Sequence, residues 1–132
     1  MKPLPDAVKE FIAAAYVCRI ASVRPDGTPH VIPVCPAFDG EATVYVDIAG
    51  RGVSAAAFRA NPNIAVLIDE YYDDWSRLKA ALLRCRVEEA VGEEKDRAWG
   101  MIREKLPQHE EIGWVRFTLA LRMYAWCQWG IT

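Results

Sequence analysis

Apolar positions recur along this chain at two spacings, and the changes from one to the other mark out its elements. Val8, Phe11, Ile12 and Ala15 fall three and four apart behind Pro5-Asp6, which predicts an opening helix with one apolar face. Tyr16 to Arg24 is rich in β-formers and predicts a strand, closed by the turn residues Pro25-Asp26-Gly27. Val31 to Phe38 predicts the next strand, and Asp39-Gly40 a tight hairpin turn into Thr43 to Ile48. The first third of the chain therefore reads as an antiparallel meander.

The pattern then changes. Gly50-Arg51-Gly52 reads as a flexible loop and Val53 to Arg59 as a short, Ala-rich helix. Asn61-Pro62 stops that helix, because the residue before a proline avoids the α region. Ile64 to Ile68 is a continuous apolar run, as in a strand buried on both faces. An acidic and aromatic segment follows, Asp69 to Trp75. Leu78 to Val91 predicts a long strand, with helix as the competing reading of Leu78 to Leu83. Glu93 to Leu106 predicts a helix with Ala98, Met101, Ile102 and Lys105 along one side. Its acids come early and Arg103 and Lys105 late, in keeping with the helix dipole, and Pro107 ends it. Trp114 to Leu121 and Arg122 to Trp129 alternate and predict two more strands. About six or seven strands with two or three short helices predict a mainly β domain over residues 1–132, a small β-barrel or a strongly bent sheet.

Composition narrows the function classes. The 132 residues are 52% hydrophobic and 26% charged, enough for one core and unlike a disordered tail or a membrane protein. A net charge of -2 argues against a nucleic-acid partner but leaves room for a local basic patch. Cys18, Cys35, Cys85 and Cys127 form no Cys-x-x-Cys pair, and His30 and His109 stand far apart, which argues against a metal site. Asp6, Lys9 and Glu10 interrupt the first fifteen residues, so no secretory apolar segment is expected, and no run reaches membrane-spanning length. The expectation is a cytoplasmic protein with reduced, mostly buried thiols and no membrane partner.

Pro33 and Pro36 fall inside the second predicted strand. Proline cannot donate to a ladder, so this strand has an edge, a bulge or an unpaired stretch. It is either an edge protected against aggregation or a place where free backbone groups face the polar rim of a planar, flavin-type ligand.

Several segments together resemble a known family. Arg19-Ile20-Ala21-Ser22-Val23, Asp26-Gly27 and Pro29-His30-Val31-Ile32-Pro33-Val34 come first. Asn61-Pro62 before Ile64-Ala65-Val66-Leu67-Ile68-Asp69 follows in the same order. This succession resembles the pyridoxamine 5'-phosphate oxidase-like, FMN-binding split-barrel family. Asp69-Glu70-Tyr71-Tyr72-Asp73-Asp74-Trp75-Ser76-Arg77-Leu78 resembles the branch whose members often use the deazaflavin F420. Glu104-Lys105-Leu106-Pro107-Gln108 and Arg122-Met123-Tyr124-Ala125-Trp126 fit that branch too. The resemblance covers nearly the whole chain. It implies a six-stranded antiparallel Greek-key split barrel, a homodimer, and a cofactor groove between the subunits. Members bind FMN, F420 or haem-related molecules, and many act on small planar substrates.

The resemblance also implies site residues. Backbone groups of His30, Val31, Ile32, Pro33 and Val34 would contact the ring, Arg51 and Ser54 would hold the phosphate, and Arg77 and Trp126 would border the pocket. The chain departs from the family at Ala55, Ala56 and Ala57, where basic residues are often found. The residues alone leave a plainer reading open, an ordinary helix start with Ser54 as cap and Arg51 solvated. Trp75 reads as an interface anchor or a pocket wall, and Arg77 as a ligand contact from the partner subunit or a partner of Asp73 or Asp74. His30 reads as a polar contact to a ligand or an exposed strand residue, and Trp99 as packing. No nucleophile, base and acid set is visible, and flavin chemistry needs none, because the cofactor carries the hydride. The expected function is an oxidoreductase using FMN, or F420 in its place, to transfer hydride to or from a small planar substrate. The alternative is a split-barrel dimer that has lost redox chemistry and binds a ligand or serves a structural role. Pyridoxamine-phosphate oxidase activity itself is a third possibility.

Overall fold

A computed structural model describes residues 1–111 and 116–132. The predicted opening helix is α1 (Asp6–Ala14), which buries Val8 and Ile12. Strands β1 (Cys18–Val23) and β2 (Pro29–Val34) pair antiparallel around the Asp26-Gly27 turn, where Asp26 accepts hydrogen bonds from the amide and hydroxyl of Thr28. The second predicted strand is shorter than expected. It breaks at Cys35-Pro36, and the two-residue β3 (Ala37–Phe38) joins the opposite end of the sheet. Proline causes the break, since Pro36 has no N–H for a ladder. Asp39 then caps the hairpin into β4 (Thr43–Ala49), its carboxylate accepting from the amides of Glu41, Ala42 and Thr43.

Helix α2 (Val53–Ala60) leads into β5 (Asn63–Glu70), whose inner positions are buried and whose outer ones are half-buried. This strand is therefore covered fully on one face only, not on both. A 3-10 turn (Trp75–Arg77) leads into β6 (Lys79–Glu89), where strand prevails over the helical preference of Ala and Leu because two neighbours complete its ladder. Helix α3 (Gly92–Lys105) and a second 3-10 turn (Pro107–Glu111) precede β7 (Arg116–Trp129). The final two predicted strands are one, with no turn at Leu121-Arg122. A register shift opposite Arg84 and Cys85 leaves Tyr124 as an extra residue, and the strand bends there without ending. Trp114 lies outside the described residues.

The seven strands form one curled antiparallel sheet in the order β2-β1-β5-β6-β7-β4-β3, and six of them have six residues or more. This is the expected split-barrel architecture with a two-residue strand added. Val44, Val46, Ile20, Val66, Leu83, Leu119 and Leu121 fill its inside. Helix α3 covers the other side of β3, β4 and β7 through Ala98, Ile102 and Leu106 against Ala37, Tyr45 and Ala120. Lys105, at the end of α3, donates to the carbonyls of Ala13, Ala15 and Pro36 and so ties α1 and the β2–β3 break to that helix. Cys18 and Cys85 are buried, and burial pushes both thiols up to about 12. Cys35 is half-buried and Cys127 exposed, so fewer of the thiols are buried than expected. No helix of the described residues is long and apolar enough to cross a membrane.

Candidate functional site

The curl of the sheet brings β2, near one edge, against β4, near the other. Ile32, Pro33 and Val34 of the first and Asp47, Ile48 and Ala49 of the second line a cavity of about 510 Å³. The loop Arg51-Gly52 and the start of α2, Val53 and Ser54, form another wall. Ile102 of α3, Leu106 just past its end, and Gln108 and His109 of the following turn close it. The lining is largely apolar, suited to a flat ring, with a few polar groups at fixed places.

The anion-type wall is built by backbone geometry. Gly52 has φ 125°, a left-handed conformation that L side chains rarely adopt. It precedes α2 and brings no capping side chain, so the first amides of the helix are left open at the cavity. Ser54 does not cap α2; its hydroxyl shares a 3.0 Å hydrogen bond with His30 Nε2. Among the described residues Arg51 makes no ion pair, and its side chain is exposed. Free amides, a hydroxyl, an imidazole and an unpaired guanidinium fit a phosphate. Arg24 and Ala56 line an adjoining hollow of about 420 Å³ that shares Gly52 and Val53 with the cavity.

The alanines that break the family pattern are explained by burial. Ala55 and Ala57 sit in the core, 1% and 0% exposed, and only Ala56 faces outward. A Lys or Arg at the two buried positions would have to bury its charge, so their alanines belong to helix packing.

The cavity thus gathers Ile32, Pro33, Val34, Arg51 and Ser54, with His30 attached through Ser54. The other three predicted residues lie elsewhere. Val31 points to the outer face of β2 and is 63% exposed. Arg77 lies in the 3-10 turn with its guanidinium 4.3 Å from the centre of the Tyr72 ring, not paired with Asp73 or Asp74. Trp126 donates its indole N–H to the Lys2 carbonyl, and the Lys2 ammonium sits 4.2 Å over its ring.

One polar cluster escaped the sequence reading. Asp47 and His109 pair at 2.7 Å, and Thr118 donates to the same carboxylate at 3.1 Å. Trp99 is more than packing, since its indole N–H donates to Thr118 Oγ1 at 2.7 Å. Arg116 stands 3.8 Å from Asp47 and donates to the His109 carbonyl at 3.0 Å. The signal was an acid inside the apolar run Val44-Tyr45-Val46-Asp47-Ile48.

The sequence profile described as pyridoxamine 5'-phosphate oxidase matches residues 4–119. The chain belongs to that family. The fold has many solved counterparts. An FAD-binding protein from Mesorhizobium loti superposes with a TM-score of 0.75 at 23% identity, over 96% of this chain and 95% of that one. A heme storage protein from Vibrio cholerae, HutZ, gives 0.77 at 14% identity, over 97% and 94%. An F420 reductase gives 0.70 at 19% identity, over 94% and 98%. The share of its structural neighbours' length that this family member spans ranges from 56% to 98%. No curated protein matches it by sequence.

Proposed function

We propose that this chain is an oxidoreductase subunit that binds FMN or F420 in the β2–β4 cavity and works as a homodimer. The observation that carries the reading is the join of a largely apolar cavity to a phosphate-type wall, with Arg51 unpaired beside the open amides of α2. The apolar side chains of Ile32, Val34, Ile48 and Leu106 would flank the ring, and the backbone of the His30 to Val34 strand would meet its polar rim. A bound flavin or deazaflavin supplies hydride transfer; the chain's own residues bind it, orient it and exclude water. FAD-binding and F420-reducing neighbours of the same fold support this ligand class.

The outer face of the sheet supports the dimer. The register sets Pro33, Arg19, Leu67, Leu82 and Cys127 in one cross-strand row and Val31, Ala21, Ala65, Arg84 and Ala125 in the next. Two rows this apolar on an outward face suit a second copy. Trp75 and Arg77 of the partner would then stand near a site that this subunit only partly encloses.

The test is an absorbance spectrum of the protein purified without added cofactor, then titration with FMN and with F420. A yellow protein or micromolar affinity for either supports the reading, and absence of binding by both overturns it. The second reading is a ligand-binding dimer without redox chemistry. It rests on the sparse cationic side chains of the phosphate wall, where the exposed Ala56 of α2 brings no charge. Binding of hemin with no binding of FMN or F420 would favour it.

A further inference from the structure

The Asp47–His109 pair stands in the wall of the same cavity, and ring packing and phosphate binding leave it without a task. We propose that His109, held in place by Asp47, is the cavity's hydrogen-bonding contact to the edge of the bound ring. This inference rests on the flavin or deazaflavin reading of the cavity.

The imidazole is fixed from several sides. Its Nε2 lies 2.7 Å from Asp47 Oδ2, and that carboxylate is itself held by Thr118. The edge of Trp99 meets the ring at 6.4 Å between centroids and 75° between planes. Arg116 fixes the backbone of the turn by donating to the His109 carbonyl. A carboxylate can only accept, so Nε2 carries the hydrogen, and in the neutral ring Nδ1 keeps its lone pair. Orientation of one ring nitrogen by a buried acid is how proteins present the other one to a partner.

That other nitrogen has no partner. His109 is 5% exposed, lines the cavity, and its Nδ1 is buried without a hydrogen bond. Buried polar atoms in folded proteins are nearly always paired. Among the described residues only Ser22 Oγ shares this state, and Ser22 does not line the cavity. Among the neighbouring lining residues Leu106 and Ile102 have no side-chain donor, and the amide of Gln108 donates to the Tyr16 hydroxyl at 3.0 Å instead. Nothing in the chain pairs with Nδ1, and a ligand group seated against the imidazole would give it a partner. A lone pair calls for a donor, so the ligand would bring an N–H or O–H at the rim of a planar ring.

The competing role for His109 is purely structural, a strut from the 3-10 turn to β4. Two substitutions separate the roles, because the Gln amide reaches the place of Nε2 and the Asn amide that of Nδ1. His109→Gln keeps the strut to Asp47 and loses the contact. We expect it to melt near wild type and to bind the cofactor (FMN or F420, whichever the wild type takes) at least tenfold more weakly. His109→Asn should retain more affinity than His109→Gln. Independently of any variant, the imidazole 15N resonance of His109 Nδ1 in the wild type should move on saturation with that cofactor. Wild-type affinity in His109→Gln, or an Nδ1 resonance unmoved at saturation, overturns the inference. Wild-type protein that binds neither FMN nor F420 overturns the cofactor reading and this inference with it. That failure shows before any variant is compared.

Discussion

His30 and Ser54 lie 24 positions apart, yet His30 Nε2 and Ser54 Oγ, the latter in the cavity wall, share a 3.0 Å hydrogen bond. The bond ties β2 to the first turn of α2. Each side chain is partly buried, and each is a position where the sequence offers both a ligand role and a plain one. The pairing decides against the plain role of Ser54, because a hydroxyl turned toward the imidazole is not capping the helix.

The first prediction concerns that bond. Ser54→Ala should leave α2 intact, since no cap is lost, and weaken cofactor binding by about 1.5–3 kcal/mol through one lost hydrogen bond to the charged phosphate. Thermal melting and cofactor titration of the same preparation check it. A clear drop in melting temperature with unchanged affinity would return Ser54 to a structural role.

Arg51 makes the sharper case. Its side chain is exposed and unpaired, so Arg51→Ala should cost almost no stability. If the guanidinium meets a phosphate, the substitution should weaken binding of FMN or F420 by about 1.5–3 kcal/mol, the range for hydrogen bonds to charged groups. Riboflavin, which lacks the phosphate, should bind both proteins alike. Equal loss for riboflavin and FMN would move the phosphate elsewhere, with Arg24 beside the adjoining hollow the next candidate.

What the sequence reveals and what it hides divide along contact distance. Turns and caps are local, so Asp26-Gly27, Asp39-Gly40 and the ends of α1 and α3 stand close to where the residues put them. The one boundary drawn at Leu121-Arg122 had no Gly, Pro or Asn behind it, and β7 runs through it on a bulge at Tyr124. Arg51 and Ser54, and Ile32 to Val34 of β2, line one cavity from two short stretches of chain. Asp47 and His109 are 62 positions apart and meet only after β4 and the turn behind α3 close on one cavity. An isolated histidine carries no sign of that. Ala55 and Ala57 looked like lost basic residues until their burial showed that the helix needs them small.

A third prediction follows from the clamp that holds α3 to the sheet. Arg122 meets Glu94 with two nitrogens, at 2.8 and 2.9 Å, and Tyr45 donates to the same carboxylate at 2.7 Å. Arg122 and then Tyr45 hold the Glu94 carboxyl down at about 2, against an ordinary value of 4.5. Burial, with Glu94 behind it, pushes the Tyr45 hydroxyl up to about 12. The folded state therefore binds fewer protons at Glu94 than the unfolded chain does. Its stabilisation is complete above about pH 4.5 and is lost as pH falls toward 2. Glu94→Gln should lower stability at pH 7 by about 1–3 kcal/mol and show a smaller loss on acidification. Urea midpoints at pH 7 and pH 3 for both proteins check this. A gap between them that is the same at both pH values contradicts it.

The fourth prediction tests the proposed dimer through Trp75, the most exposed large apolar side chain among the described residues. Trp75 is 77% exposed in the single chain, on the 3-10 turn between β5 and β6. The neighbouring rings are organised: Trp129 donates to the Tyr71 hydroxyl at 3.4 Å, and Arg77 stacks on Tyr72 at 4.3 Å. Asp74 fixes the turn by accepting from the amide and hydroxyl of Ser76, so Trp75 is held outward by a rigid support. An indole that exposed, on a braced turn and beside an Arg, has the makeup of an interface anchor. Trp75→Ala removes few contacts within the chain and should leave its melting temperature at low concentration unchanged. It should weaken the dimer by about 2 kcal/mol, close to a thirtyfold rise in the dissociation constant. Sedimentation equilibrium over a concentration series reads both states directly. Cofactor affinity measured on the same samples then shows whether the partner takes part in the site. If the partner's Arg77 and Trp75 border the cavity, affinity falls in step with dimer dissociation, whereas a cavity complete within one chain keeps its affinity as the dimer comes apart.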